Sequence, residues 1–532
     1  PFKKGNQSSY LANYRYSTLD IFNALGIDMG TGMAIPQYQD LTFKMDIHTK
    51  NAGKFTVIGL GGLSYIELHD SDKAKLDEDY DSNYDYGGVD LDFGSDMGVI
   101  AVSNLLFLNE KTRLKTSFSV LGMKQTTYID SLIFETDGSL IQGSNYQFYA
   151  NSMNETKYSF SSVIKKKISA KNNFSTGLIF DYYNIFYKDS VIDDEMPSGF
   201  RTNLDIKGNL FLARGFFQWQ HKFSDKLTGN AGVYAQYLDI SKEKIAEPRI
   251  GIKYNLPLNQ SLSLGGGMHS RTMSRHNYFL QTWIGENQSI QTNKDVELLK
   301  SVQAVLGYDK LFTEFLRLKI ETYYQYLYNI PVVESYPEYS MINIGSSFND
   351  PILDSLLNEG TGENYGVEFT FERFMKNSFY FLTTISLFES KYKGFSGTER
   401  NTAFNGNYVV NLLAGKEFKA GKHDVITFDI KTVYAGGKPY IPIDIEKSDL
   451  SNSTEYDYSK AFENKYGEYF RFDIRIGYKK NGKKVSQEWA LDLQNITNHK
   501  NIYSQQFNPR NNSIASDYQT GFFPMMLYRI QF

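Results

Sequence analysis

The sequence predicts an all-β fold, a transmembrane antiparallel β-barrel with about 20 strands in this chain. Three observations lead there. No run of 18 or more apolar residues occurs, which excludes membrane-spanning helices; a closed barrel is the other structure that satisfies its own backbone groups in lipid. Segments with one apolar face and one polar or mixed face recur from end to end. The connections between them alternate short polar turns with long loops, as in a barrel whose two rims face different compartments.

The first strand runs from Ser9 to Ser17, with Tyr10, Ala12, Tyr14 and Tyr16 on one face and Asn13, Arg15 and Ser17 on the other. Thr18 to Leu25 has the composition of a short helix inside the next connection. Tyr38 to His48 places Leu41, Phe43, Met45 and Ile47 opposite Thr42, Lys44, Asp46 and His48. A tight turn at Lys50 to Lys54 leads into a strand from Phe55 to about Leu68. The acidic, Tyr- and Gly-rich connection from His69 to Gly94 is far too long for a hairpin turn. The strand after it carries Met97, Val99, Ala101, Ser103, Leu105 and Phe107 in phase, and a turn at Asn109 to Thr112 follows.

Further short turns fall at Lys165 to Asn173, Phe223 to Lys226, Pro257 to Gln260, Phe374 to Ser378, Lys419 to His423 and Lys479 to Lys483. Long connections lie at about 131–148, 189–204, 270–298, 329–362, 437–468 and 498–518. An even strand count puts both ends of the barrel on the short-turn rim. The register is explicit in several strands. Leu316, Leu318, Ile320, Thr322, Tyr324, Tyr326 and Tyr328 oppose Arg317, Lys319, Glu321 and Gln325. Ile426, Phe428, Ile430, Thr432 and Tyr434 oppose Val425, Thr427, Asp429, Lys431 and Val433. Charges keep to one face, which is expected to be the lumen. In the closing segment Phe522, Pro524, Met526, Tyr528, Ile530 and Phe532 form a continuous apolar face, while Arg529 and Gln531 sit in the other register.

Composition agrees. The 532 residues contain no Pro/Ser-rich linker, charge block or composition shift, so one architecture over residues 1–532 is expected. Tyr 40 and Phe 39 against Trp 3 is an aromatic-rich usage, and tyrosine suits an interface where one end is apolar and the other wet. Cysteine is absent, which removes disulfides, thiolate chemistry and cysteine metal sites. A net charge of −4 offers no basic footprint for nucleic acid. The chain opens at Pro1 without a charged n-region or an apolar h-region, and reads as processed or partial.

The chemical motifs are sparse. Gly59 to Gly62 and Gly265 to Gly267 are glycine-rich but open no helix after a parallel strand, so they read as strand glycines and not as phosphate loops. Asp77, Asp79 and Asp81 have the spacing that opens a Ca2+ loop, yet Ser82 and Gly88 occupy the positions that need Gly and Glu, so a solvated acidic loop is the simpler reading. No other cofactor is called for. The seven histidines are scattered and no His-Glu-x-x-His occurs. The candidate ligand contacts are in long loops: Arg271, Arg275, His276, Tyr278 and Trp283 in one, with His269 just before them, and Tyr336 and Tyr339 in another. Such a mixture can stack on a ring or clamp an anion.

The closing Gly521 to Phe532, the segment Leu491-Asp-Leu-Gln-Asn-Ile-Thr-Asn498 before it, and Tyr14-Arg-Tyr-Ser17 with Ile35 to Phe43 near the start resemble the TonB-dependent outer-membrane receptors. The resemblance implies a terminal aromatic, Phe532, read by the barrel-assembly machinery. It implies active uptake of a scarce nutrient: an iron chelate, cobalamin, oligosaccharide or peptide. It also implies a 22-stranded complete barrel, a plug domain and a TonB-binding segment ahead of it, with neither the plug nor the first strands found in this sequence. Partners implied are outer-membrane lipid and lipopolysaccharide, the TonB complex through the plug region, and a surface lipoprotein. A plug-free diffusion porin or the barrel of a surface complex is the alternative, and an outer-membrane enzyme a further one.

Overall fold

A computed structural model describes residues 8–16, 37–69, 71, 89–132, 146–192, 200–285, 288–345, 352–451, 454–508 and 512–531. The wall begins with β1 (Ser9–Tyr16), β2 (Gln37–His48), β3 (Lys54–His69), β4 (Val89–Asn109), β5 (Thr112–Ser131) and β6 (Tyr146–Lys167). It continues with β7 (Asn172–Ile192), β8 (Phe200–Lys222), β9 (Leu227–Leu238), β10 (Lys244–Leu256) and β11 (Gln260–Arg271). A loop hairpin, β12 (Thr282–Gly285) and β13 (Gln288–Ile290), precedes β14 (Leu299–Thr313), β15 (Leu316–Val332), β16 (Leu357–Lys376) and β17 (Phe379–Lys393). After the short β18 (Glu399–Asn401) come β19 (Tyr408–Ala420) and β20 (Asp424–Ala435), then the loop pair β21 (Pro439–Tyr440) and β22 (Asn464–Lys465). The wall ends with β23 (Tyr469–Asn481), β24 (Ser486–Gln494) and β27 (Phe523–Gln531), with a second loop pair, β25 (Ile502–Asn508) and β26 (Ser513–Tyr518), before the last strand.

Leaving out the β12–β13 hairpin, the two loop pairs and β18, twenty strands form one meander in which each is antiparallel to the next, from the β1–β2 ladder to the β24–β27 ladder. Among the described residues β1 and β27 are not paired with each other. The strands β4 to β8 have 21, 20, 22, 21 and 23 residues. A tilted strand needs about 9–11 residues to cross the hydrocarbon core, so roughly half of each stands outside it.

The two faces separate as the alternation predicts. Tyr324 is 47% exposed and Tyr326 is exposed with it, while Arg317 on the opposite register pairs with Glu372 at 3.0 Å and with Asp309. A polar ladder runs across the same inner face from Gln303 to Gln325 (3.3 Å) to Asn364 (3.0 Å). In β27 the outward Met526 is 82% exposed, and the inward Arg529 pairs with Glu488 at 3.3 Å. Phe532 and the Asp77, Asp79 and Asp81 run lie outside the described residues, as does Thr18 to Leu25.

Short turns close one rim. Asn377 and Ser378 join β16 to β17 with φ of 55° and 59°, the left-handed pair of a type I′ hairpin that matches strand twist. Two features depart from expectation. Glu314 and Phe315 turn β14 into β15 with no Gly, Pro or Asn. On the other rim Asp239 to Glu243 joins β9 to β10 in five residues, so that rim is not uniformly long-looped. The glycine-rich segments lie in β3 and β11; at Gly59 an added Cβ would sit 2.2 Å from the Phe43 ring, so its role is close packing.

The buried core is not in the middle of the wall. It lies at the long-loop end, where Tyr183, Ile185, Tyr187, Ile206 and Leu210 of β7 and β8 meet loop residues Tyr278, Phe279, Leu298 and Met341. These wall residues share the register that carries Asp181 and Arg214. The loops therefore fold inward over the lumen and leave the outer face to lipid.

Candidate functional site

The wall of β6 and β7 carries Glu155, Lys157, Asp181 and Tyr183 on its inner register. Lys157 lies 3.3 Å from Asp181, which is buried and also pairs with Arg214. One turn of loop covers this cluster. Arg275, in a 3-10 turn at Arg275–Phe279, donates from Nε and Nη2 to the Glu155 carboxylate at 2.7 and 2.6 Å, and its guanidinium lies 4.6 Å from the Tyr183 ring centroid. Burial alone would lower the Arg275 pKa; the hydrogen bonds and charge of Glu155 outweigh it and the net direction is up. His276 packs against Tyr187 at 5.4 Å. Burial first, and Arg275 second, push the His276 pKa below its ordinary value, so a neutral ring is favoured there.

The neighbouring residues complete the anchor. Tyr278 is fully buried, and Phe279 lies over Gly208 so closely that an added Cβ would be 2.4 Å from its ring. Only a residue without a side chain lets the ring reach the wall.

Buried asparagines tie this loop to the next ones. The Asn293 amide donates to the carbonyls of Asn277 (3.1 Å) and Leu353 (2.9 Å), and its oxygen accepts from Leu356 N–H (2.9 Å). Asn343 Oδ1 accepts from Ala403 N–H at 2.9 Å. Tyr336 stacks on Tyr339 at 6.1 Å and meets Tyr458 edge-on at 4.4 Å. The loops after β11, β15, β17 and β20 thus form one continuous layer. An amide that satisfies several buried backbone groups at once fixes a loop conformation that apolar packing alone would leave degenerate.

Other residues of these loops are aromatic and cationic. Trp283 is 66% exposed on the β12–β13 hairpin, and Arg271 is exposed at the end of β11. On β21 and β22, Tyr440 and Tyr466 stack face to face at 4.3 Å and 4°. Lys438 and Lys465 flank that stack and both reach solvent, yet crowding by the surrounding loops pushes both pKa values down through desolvation. Groups of these kinds can stack on flat rings and hold anionic oxygens.

The seven contacts expected from the sequence are not gathered at one exposed surface. Arg275, His276 and Tyr278 are occupied in anchoring the loop; Tyr336 and Tyr339 pack in the layer between loops; Arg271 and Trp283 remain open to a ligand. His269 sits in β11 beside Arg249 and Glu247. Sequence reasoning missed Glu155, Asn293 and the Tyr440–Tyr466 pair. A run such as Lys438-Pro-Tyr440 with Lys465-Tyr466 inside a long connection was the one readable signal. Among the described residues no group of three or more acidic or histidine side chains is placed to hold a metal ion.

A family model described as TonB dependent receptor-like, beta-barrel matches residues 6–498. No curated protein matches the sequence significantly. Among solved structures, the ferric-catecholate import receptor Fiu of Escherichia coli K12 superposes with a TM-score of 0.66 at 10% identity, over 98% of this chain and 77% of that one. The pyoverdine receptor FpvA of Pseudomonas aeruginosa gives 0.69 at 10% identity, over 98% and 73%. The outer-membrane transporter YddB of Escherichia coli gives 0.61 at 11% identity, over 93% and 69%.

Proposed function

The chain belongs to the TonB dependent receptor-like β-barrel family, and on that footing we propose that it takes up an anionic iron chelate across the outer membrane. The family makes it a bacterial outer-membrane β-barrel of the receptor and transporter kind. The cargo is our own reading. The observation that carries it is the set of loop groups, the exposed Arg271, Trp283, Lys438 and Lys465 with the half-buried Tyr440–Tyr466 stack, which suits a ligand that is both ringed and negatively charged. Ferric catecholate is the cargo named for Fiu, and pyoverdine the molecule named for FpvA.

The continuous loop layer supports gated uptake over an open diffusion pore, since buried asparagines and a packed apolar core cover the inner wall at the mouth. Energy coupling would run through the family's plug region to TonB. A deletion strain tested for growth on iron chelates, cobalamin, oligosaccharides and peptides identifies the cargo: selective loss on iron chelates is expected. Loss confined to another nutrient replaces the cargo, and uptake that survives dissipation of the proton gradient sinks active transport.

A further inference from the structure

The charges of the chain are sorted by height. The nine short turns, each taken with four strand residues on either side, hold 23 Lys and Arg but 7 Asp and Glu. The chain as a whole has 56 and 60 of these and a net charge of −4. The short-turn rim is thus +16 on a protein whose remainder is −20.

The two registers at that rim do different things. Arg113, Lys165 and Lys167 are on the inward register and line a polar recess of about 500 Å3, which Lys166 also borders from the strand end. Outward, Lys166, Lys310, Lys416 and Lys480 share the lipid-facing register with exposed residues such as Ile164, Phe312, Phe418 and Tyr478. Among the described residues none of these four lysines is in an ion pair. Several rim cations lie against rings instead. Lys310 is 4.8 Å from the Phe312 centroid, Lys416 is 5.3 Å from Phe418, and Arg373 is 4.9 Å from Phe315.

Aromatic rows continue between them at the same height, with Phe174 5.5 Å from Phe217, and Tyr478, Trp489 and Tyr528 following one another at 6.0 and 5.5 Å. Leu258, 80% exposed, projects from a turn. Such rings mark the headgroup level of a bilayer, so cations interleaved with them lie where lipid phosphates are. An acidic soluble protein would meet charges presented to water, without a hydrophobic collar at the same height.

We propose that the outer register of the short-turn rim binds anionic phospholipids, their phosphodiester headgroups held by Lys166, Lys310, Lys416 and Lys480 and their glycerol and acyl regions against the neighbouring rings. The negative field of acidic lipid acts on basic side chains only within a Debye length of the surface, a distance these residues meet. This goes beyond cargo uptake and uses only the outer-membrane placement.

The test reconstitutes the protein in phosphatidylcholine vesicles with and without a fraction of phosphatidylglycerol and reads the midpoint of heat-modifiable gel migration. Phosphatidylglycerol should raise the wild-type midpoint by several degrees. The K166Q/K310Q/K416Q/K480Q variant should lose most of that rise, and so should the wild type at about 1 M salt, where the Debye length falls to ~3 Å. Insertion into phosphatidylcholine alone, equal for both proteins, separates failure of this proposal from failure of the barrel reading. Equal wild-type midpoints in the two lipids, or a rise that the variant keeps in full, overturns the proposal. So does binding of an acidic periplasmic protein with the same lysine dependence and no phosphatidylglycerol effect, which would make the rim a protein-docking surface. If the variant does not insert, the salt response of the wild type decides.

Discussion

Arg275 and Glu155 are 120 residues apart in sequence and form a bidentate pair, with Nε and Nη2 of the guanidinium at 2.7 and 2.6 Å from the two carboxylate oxygens. This contact joins a surface loop to the inner wall. It sits on a half-buried arginine over the Tyr183 ring, so it is worth more than an exposed ion pair and less than a fully buried one.

Arg275→Ala should therefore destabilise the loop, not the barrel, by about 1–3 kcal/mol, chiefly by leaving Glu155 without its partner. Proteolysis of the segment between β11 and β14 should accelerate while heat-modifiable migration stays unchanged. R275M with E155L, which removes both charges, should cleave more slowly than the single variant; equal rates would mean that the pair is not what holds the loop.

Gly208→Val should release the same loop by a different route. Its Cβ would collide with the Phe279 ring at 2.4 Å, and overpacking of this kind costs about 1–3 kcal/mol. Gly98→Ala is the control, because nothing lies within 4 Å of its added Cβ. Proteolysis that rises equally in both variants would show that the Gly208 contact is not specific.

Loop anchoring should weaken in acid. Burial holds the His276 pKa below its released value, so the neutral, docked form is favoured at neutral pH. As pH falls below about 6.5, the ordinary imidazole value, the released loop takes up the proton first and docking loses stability until the lowered pKa is passed. Hydrogen exchange of residues 275–280 measured against pH should show this, and His276→Phe should flatten the profile.

Phe428→Arg, on the lipid-facing register, should lower stability in vesicles by about 2–4 kcal/mol. Lys319→Ala faces the lumen, where Lys319 pairs with Glu321 at 2.5 Å in a half-exposed setting, and should change it by less than about 1 kcal/mol. Denaturant unfolding compares the two, and the opposite ranking would invert the register.

For the cargo, R271A with W283A should reduce uptake more than tenfold, about 1.4 kcal/mol per decade, with surface level and migration unchanged. K438A with K465A should act in the same direction. Full uptake in both variants would move the ligand site off this loop layer.

The sequence by itself determined the wall. Alternation is a local property of the backbone, so runs such as Leu316 to Tyr328 declared strand, face and register without knowledge of any neighbour. Loop lengths declared which rim was which. Boundaries were less legible, because hydrophobic alternation stops at the membrane surface while the hydrogen-bond ladder of strands such as β8 runs on past it. The turn at Glu314 and Phe315 was hidden for a related reason: it lacks the residues that punctuate a turn, and the pairing of Leu311 with Arg317 closes it instead. What the tertiary structure alone decided was the fate of the loop residues. Arg271 and Arg275 are four positions apart and look alike in sequence; one faces solvent and the other is clamped to Glu155. That difference depends on which strand ends curve round to face the loop, a long-range closure that no local pattern encodes.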